Sequence, residues 1–276
     1  MDDYKIFYSC NASEGKMLKY LFYSILSARK YINKEDVLVY LHPPYNNENT
    51  ELIDKIKKIS KVTNLDDYIG IPYSVHPKSD PNNKRYFGEK LNVINVDSDI
   101  VIALDCDTFI YKDPIILLEG DYDFGANATD LTKTSWQSKN NLIEIMRRVY
   151  KFKLSDEIHL WNGGTYIFKN RSHKKIGKYW LDIFNNDRNT LDYCMKPNRK
   201  VYDQTALSVA TAKYRLKLKT FSDKVISEVR GKEGKWSKDD IPEESVIVHG
   251  NGLADGIGMK EELDLFYCKL IGDSHD

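Results

Sequence analysis

The sequence predicts an α/β fold in which a mostly parallel central sheet is flanked by helices. Three observations carry this expectation. Short apolar runs alternate with segments of three-to-four apolar spacing, the pattern that lays helices on both faces of a parallel sheet. One run, Ile100 to Leu104, is apolar at every position, as a strand buried on both faces requires. The chain has 276 residues, 41% hydrophobic and 30% charged, an ordinary globular composition with enough length for a proper core.

In chain order, residues 4–9 alternate apolar and polar positions and form the first strand. A small polar loop, 10–15, leads to a helix whose Met17, Leu18, Leu21, Phe22, Ile25 and Leu26 share one face. Residues 37–41 make a second strand, stopped by Pro43-Pro44. Leu52, Ile53, Ile56 and Ile59 mark a second helix behind an Asn49 or Thr50 cap. A helix over 85–96 then feeds the strand 100–104. Further strands are expected at 124–128, 165–168 and 246–248, with helices at 142–150, 173–184 and 204–214 between them. Residues 222–244, polar with Gly231 and Gly234, read as a surface excursion. No repeat, low-complexity tract or linker interrupts the pattern, so residues 1–276 are expected to form a single domain.

Charge and cysteine content exclude several functions. Forty-one basic residues balance forty-one acidic ones, so no net field draws the chain to nucleic acid or an anionic membrane. Nucleic acid is not an expected partner, and membrane contact is at most peripheral, through a basic edge from Arg147-Arg148 to Lys153. The four cysteines are scattered without a C-x-x-C pair, which argues against disulfides and a zinc site and for a reducing compartment. The start, Met1-Asp2-Asp3, is acidic where a signal peptide is basic, and no apolar run approaches the ~20 residues of a membrane span. The expectation is a soluble, cytoplasmic, enzyme-sized protein.

The D-x-D pattern occurs three times, as Asp97-Ser98-Asp99, Asp105-Cys106-Asp107 and Asp121-Tyr122-Asp123. Position separates them, because ligands of open α/β sheets bind outside the carboxyl ends of the strands. The first and third precede their strands; only Asp105 and Asp107 leave the carboxyl end of 100–104. Carboxylates at i and i+2 on extended backbone share a face and can share a divalent ion. Oxygen ligands of this kind suit Mg²⁺ or Mn²⁺, completed by substrate phosphates. A solvated acidic turn is the plain alternative. A haloacid-dehalogenase-type phosphatase also starts with a strand and D-x-D, but it wants Thr or Val where Phe109 stands.

The segment Val101 to Pro114, V-I-A-L-D-C-D-T-F-I-Y-K-D-P, resembles the D-x-D strand of GT-A glycosyltransferases. The order downstream is similar to glycosyltransferase family 8, the glycogenin and lipopolysaccharide galactosyltransferase group. Trp161-Asn162-Gly163-Gly164 resembles that family's N-A-G or N-G-G at the start of a strand, Asp203-Gln204 its helix-opening D-Q, and His249-Gly250-Asn251-Gly252 its H-x-x-G. The family's H-x-x-G continues into Lys-Pro; here Leu253-Ala254-Asp255-Gly256 follows, with Lys260 the nearest substitute.

The resemblance implies a single GT-A domain, with 1–115 as the nucleotide-binding half and 116–276 as the donor-sugar and acceptor half. It implies transfer of a sugar from a nucleotide-sugar donor, a UDP-sugar first, to a hydroxyl on a glycan, glycolipid or protein. Asp105, Asp107 and His249 would hold Mn²⁺ or Mg²⁺, with Cys106 and Gly252 beside the diphosphate and Arg85 and Lys90 adding positive charge. Tyr8, Cys10 and Asn11 would line the base and ribose pocket. Gly163 and Gly164 would let the ligand approach the backbone, since glycine lacks a Cβ. Asn162 and Asp203 would bind donor-sugar hydroxyls, Gln204 would lie near the reacting carbon, and Asp130 would contact donor or acceptor. Family likeness leans toward retention of anomeric configuration; inversion would need a carboxylate base such as Asp130, Glu157 or Asp203. A Mg²⁺-dependent phosphohydrolase, a nucleotidyltransferase and a non-catalytic nucleotide-sugar or carbohydrate-binding protein remain the alternatives.

Overall fold

The fold is seen in a computed structural model that describes residues 4–43, 45, 47–65, 89–128, 147–153, 158–186, 202–228, 241–250 and 260–272. The side chains of Glu89, Asn186, Tyr202, Asp203 and Glu228 are outside that description. Strand β1 (Tyr4–Asn11) is central and runs parallel to β2 (Val37–His42) on one side and β4 (Ile100–Leu104) on the other. Strand β3 (Lys61–Asn64) extends the sheet beyond β2. Beyond β4 lie β7 (Trp161–Phe168), β6 (Phe124–Ala128) and β8 (Leu218–Phe221), giving seven strands in the order 3-2-1-4-7-6-8. Only β7 is reversed, antiparallel to both β4 and β6. A second sheet joins β5 (Thr108–Ile110), β10 (Ile247–His249) and β9 (Ile226–Glu228).

The period-two alternation of the strands divides the core in two. Ile6, Tyr8, Val39 and Ile102 face helices α1 (Gly15–Ala28) and α2 (Thr50–Ile59), where Leu18, Leu21, Ile25, Ile53 and Ile56 cover them. Phe7, Val101, Ala103 and Phe168 face the other way, against Ile176 and Trp180 of α3 (Ser172–Asn186) and Leu207 of α4 (Tyr202–Lys213). The small sheet adds Ile247 and Val248 to the first core, and α5 (Lys260–Ile271) packs on α1 and α2. Among the described residues no helix is long and apolar enough to cross a membrane.

Three expectations change. The described part of 85–96 is a 3-10 segment, Glu89–Asn95, instead of an α-helix. Asn and β-branched residues there are poor helix formers, and the segment turns Lys90, Leu91, Asn92 and Val93 inward together. The strand expected at 165–168 starts four residues earlier, so Asn162-Gly163-Gly164 lies inside β7 and does not precede it. Its pairing with β6 is bulged, since Ala126 faces Tyr166 while Ala128 faces Trp161. The excursion 222–244 contains β9. Of the helix expected at 142–150, residues 147–150 are described and helical.

Candidate active site

The chain leaves β4 through a tight turn. The Asp105 carbonyl accepts bonds from the Thr108 amide at 3.2 Å and the Thr108 hydroxyl at 2.8 Å, so Cys106 and Asp107 turn directly into β5. Strand β5 pairs with β10 in a register that sets His249 opposite Thr108. The His249 Nε2 atom therefore lies 3.3 Å from Asp107 Oδ1 and 3.6 Å from Asp105 Oδ2. Of the three D-x-D pairs, this alone gathers a third ligand-type residue among the described residues. Asp97 and Asp99 pair with Arg171, and Asp121 with Lys217 at 2.7 Å. Asp123 accepts bonds from Asn170 and the Lys217 amide.

Burial opposes the charge of Asp107, but the hydrogen bond and charge of His249, its own backbone and Lys90 outweigh it. The carboxyl is held below its usual range. For His249 burial likewise disfavours the charge, and the two carboxylates more than offset it, raising the imidazole above its ordinary value. The two carboxylates thus favour a positive charge beside them, and His249 supplies part of it when protonated.

Lys90 supplies the rest. Its buried ammonium lies 2.5 Å from Asp105 Oδ1, donates to the Gly163 carbonyl and stands 4.7 Å from the centre of the Tyr166 ring. The resemblance expects Lys90 to add positive charge beside the diphosphate; in the structure its contacts are with protein groups. The ligand-type atoms of Asp105, Asp107 and His249 lie within 4.8 Å of one another. Two carboxylates and one imidazole on three fixed strand ends fit Mn²⁺ or Mg²⁺.

The nucleotide-pocket expectations divide by the pleat of β1. Tyr8 has no exposed surface and its hydroxyl accepts a bond from Ser24 of α1 at 2.9 Å, which places its side chain in the core under α1. Burial raises its pKa well above the usual phenol value. Cys10, two residues on and facing the same way, is core as well. Cys106 turns its thiol back to the Ser9 carbonyl at 3.5 Å and is also buried. Asn11 differs. Its Oδ1 accepts from the Ser13 amide and hydroxyl, both at 2.9 Å, while its buried Nδ2 finds no partner among the described residues.

Asn162 accepts a long bond from the Gly164 amide at 3.4 Å. Gln204, in the first turn of α4, lies against Gly163. The backbone of Asp203 is in the same turn. Arg85, Asp130, Glu157 and Gly252 lie outside the described residues. Lys260 lies 2.6 Å from Asp264 and over the Tyr23 ring. One buried polar group escaped sequence reasoning. At the carboxyl ends of β1 and β2, His42 Nε2 lies 2.6 Å from Ser9 Oγ and 3.0 Å from Asn92 Nδ2, and burial lowers its pKa to about 4. Its only signal was a histidine closing an otherwise apolar strand.

No family model matches the chain, and no curated protein sequence matches it. Solved structures do. The galactosyltransferase LgtC, determined in complex with donor and acceptor sugar analogs, superposes with a TM-score of 0.54 at 11% identity, covering 99% of this chain and 96% of its own. The glycosyltransferase GlyE of Streptococcus pneumoniae TIGR4 gives 0.53 at 12% identity, over 98% of this chain and 63% of its own. The bifunctional glycosyltransferase WbbM gives 0.54 at 11% identity, over 100% and 52%. The chain has the GT-A glycosyltransferase fold. It spans nearly all of LgtC but under two thirds of GlyE and about half of WbbM. At these identities the likeness is one of fold, and within this GT-A fold the acidic turn lies at the carboxyl edge of the sheet, where open α/β sheets take ligands.

Proposed function

We propose that the chain is a glycosyltransferase that moves a sugar from a nucleoside-diphosphate sugar, a UDP-sugar first, to a hydroxyl on a glycan, lipid or protein. The observation that carries the reading is the convergence of Asp105, Asp107 and His249 at the end of β4, in a fold otherwise seen in glycosyltransferases. In the transfer, the acceptor hydroxyl oxygen bonds to the anomeric carbon and gives up its proton to the departing diphosphate or to solvent, while the carbon–oxygen bond to the diphosphate breaks and its electron pair leaves with the nucleotide. Mn²⁺ or Mg²⁺ held by the three residues would neutralise that charge as a Lewis acid.

The rest falls to the chain's own residues. Asn11 offers its Nδ2, which has no partner among the described residues, to the nucleoside beside β1. Lys90 keeps Asp105 oriented and adds a fixed positive charge. Gln204, Asp203 beside it in sequence, and Asn162 of β7 would bind and orient the donor sugar. Arg85 would add positive charge at the diphosphate, Asp130 would contact donor or acceptor, and Gly252 would lie with the donor-binding residues.

Thermal stabilisation by nucleoside diphosphates and nucleotide sugars, with Mn²⁺ and with chelator, tests the reading. A ligand at 100 times its Kd adds about 2.7 kcal/mol to stability, readily seen as a raised Tm. One nucleotide series should stabilise in Mn²⁺ only, and Asp107→Ala should abolish the effect. Absence of any shift with metal present would sink the proposal and redirect the search to phosphate-ester hydrolysis.

A further inference from the structure

Two glycines in succession inside a strand weaken it, and their presence asks for a reason. Backbone conformation is not that reason, because among the described residues the glycines at positive φ are Gly120 and Gly272. Space is. A methyl group on Gly163 would overlap the Gln204 Nε2 atom, and one on Gly164 would lie 2.5 Å from His249 Nδ1 and 2.7 Å from its Cγ. Consecutive strand positions face opposite ways, so Gln204 arrives from α4 on one side and His249 from β10 on the other. The same dipeptide holds two more groups through its carbonyls. Gly163 O accepts from the Lys90 ammonium, and Gly164 O accepts from the Asp105 amide at 2.9 Å.

We infer that Gly163 and Gly164 are positioning residues whose two missing side chains form the notches that set Gln204 and His249 over the site. The glycines leave room for the protein's own side chains as much as for a ligand. The inference rests on the glycosyltransferase reading for the roles of the two residues positioned, while the notches themselves are geometric. The two substitutions should act differently. Gln204 ends in a flexible amide, so Gly163→Ala can displace it without unfolding the strand. The His249 ring hangs from a strand paired on both sides, so Gly164→Ala must rotate the ring and pull Nε2 from the carboxylates.

The experiment compares wild type, Gly163→Ala, Gly164→Ala, Gln204→Ala and His249→Ala. Gly164→Ala should weaken Mn²⁺ binding by roughly tenfold or more, the range seen when a ligand's support is removed, and should weaken it no further when combined with His249→Ala. Gly163→Ala should leave Mn²⁺ affinity unchanged, lower kcat by about tenfold or more with donor KM little altered, and add nothing to Gln204→Ala. Both variants losing metal affinity and turnover together with Tm would overturn the inference, since that is the signature of a merely structural pair of glycines. If wild type neither binds Mn²⁺ nor turns over a nucleotide sugar, the functional proposal fails by itself. The NMR signals of the metal-free protein then decide the inference: the His249 ring must shift in Gly164→Ala and the Gln204 amide in Gly163→Ala, and unshifted signals overturn it.

Discussion

At the scale of single residues, Lys90 explains how two carboxylates are tolerated at the end of a buried strand. Its ammonium is 8% exposed and its pairing with Asp105 removes one of the two charges from the electrostatic balance. The Tyr166 ring and the Gly163 carbonyl beside it help to satisfy this largely buried cation. Lys90→Met keeps the stem and deletes the charge. We expect the chelated protein to lose about 1–3 kcal/mol in urea unfolding, less than for a fully buried pair because Asp105 is 37% exposed. Saturating Mn²⁺ should recover part of the loss by replacing the missing cation. An equal deficit with and without Mn²⁺ would separate Lys90 from the metal site.

At the scale of elements, the turn between β4 and β5 distinguishes one D-x-D from two others of the same composition. Asp97 and Asp121 are highly exposed and meet exposed partners, Arg171 and Lys217. Surface pairs of this kind contribute little. Asp97→Asn and Asp121→Asn should therefore leave Mn²⁺ affinity and Tm unchanged, while Asp107→Asn removes metal binding; a metal defect in either surface variant would show that position along the strand was the wrong criterion. That criterion was legible because five consecutive apolar residues identify β4 and its end. The start of β7 was not legible, because Asn162-Gly163-Gly164 has low strand propensity and is placed by the Asp105 amide on Gly164 and by the side chains of Gln204 and His249 packed against the two glycines. The three-residue strands β5 and β9 are too short for alternation to register. The core positions of α1 and α2 followed directly from their spacing, whereas the inward turn of Tyr8 and Cys10 was a matter of pleat phase. That phase is set by which face α1 covers, and only the assembled fold reveals it.

At the scale of the whole molecule, the reversal of β7 brings its first residues, and not its last, to the carboxyl edge shared by β1, β2 and β4. Acidic turn, glycine notches and the buried His42 group therefore crowd one edge, and stability becomes sensitive to pH there. His42 is neutral in the fold, its pKa lowered by burial to about 4 from an ordinary 6.5. A depressed base binds fewer protons folded than unfolded, so its contribution is fully present above pH 6.5 and is lost as pH falls from there toward 4. The full difference corresponds to ~3 kcal/mol. His173, also lowered mainly by burial, adds a slope of the same sign. His249 acts oppositely: raised in the fold, it stabilises below pH 6.5 and loses that contribution as pH rises through its folded value. Asp107, lowered in the fold, contributes above the ordinary carboxylate range and loses that only as pH drops further. Urea unfolding of the chelated protein at pH 7 and pH 5 should thus show lower stability at pH 5. His42→Gln should flatten the difference without abolishing it, because His173 remains. An unchanged slope in His42→Gln would mean that His42 titrates alike in the folded and unfolded chains, so that burial does not depress it.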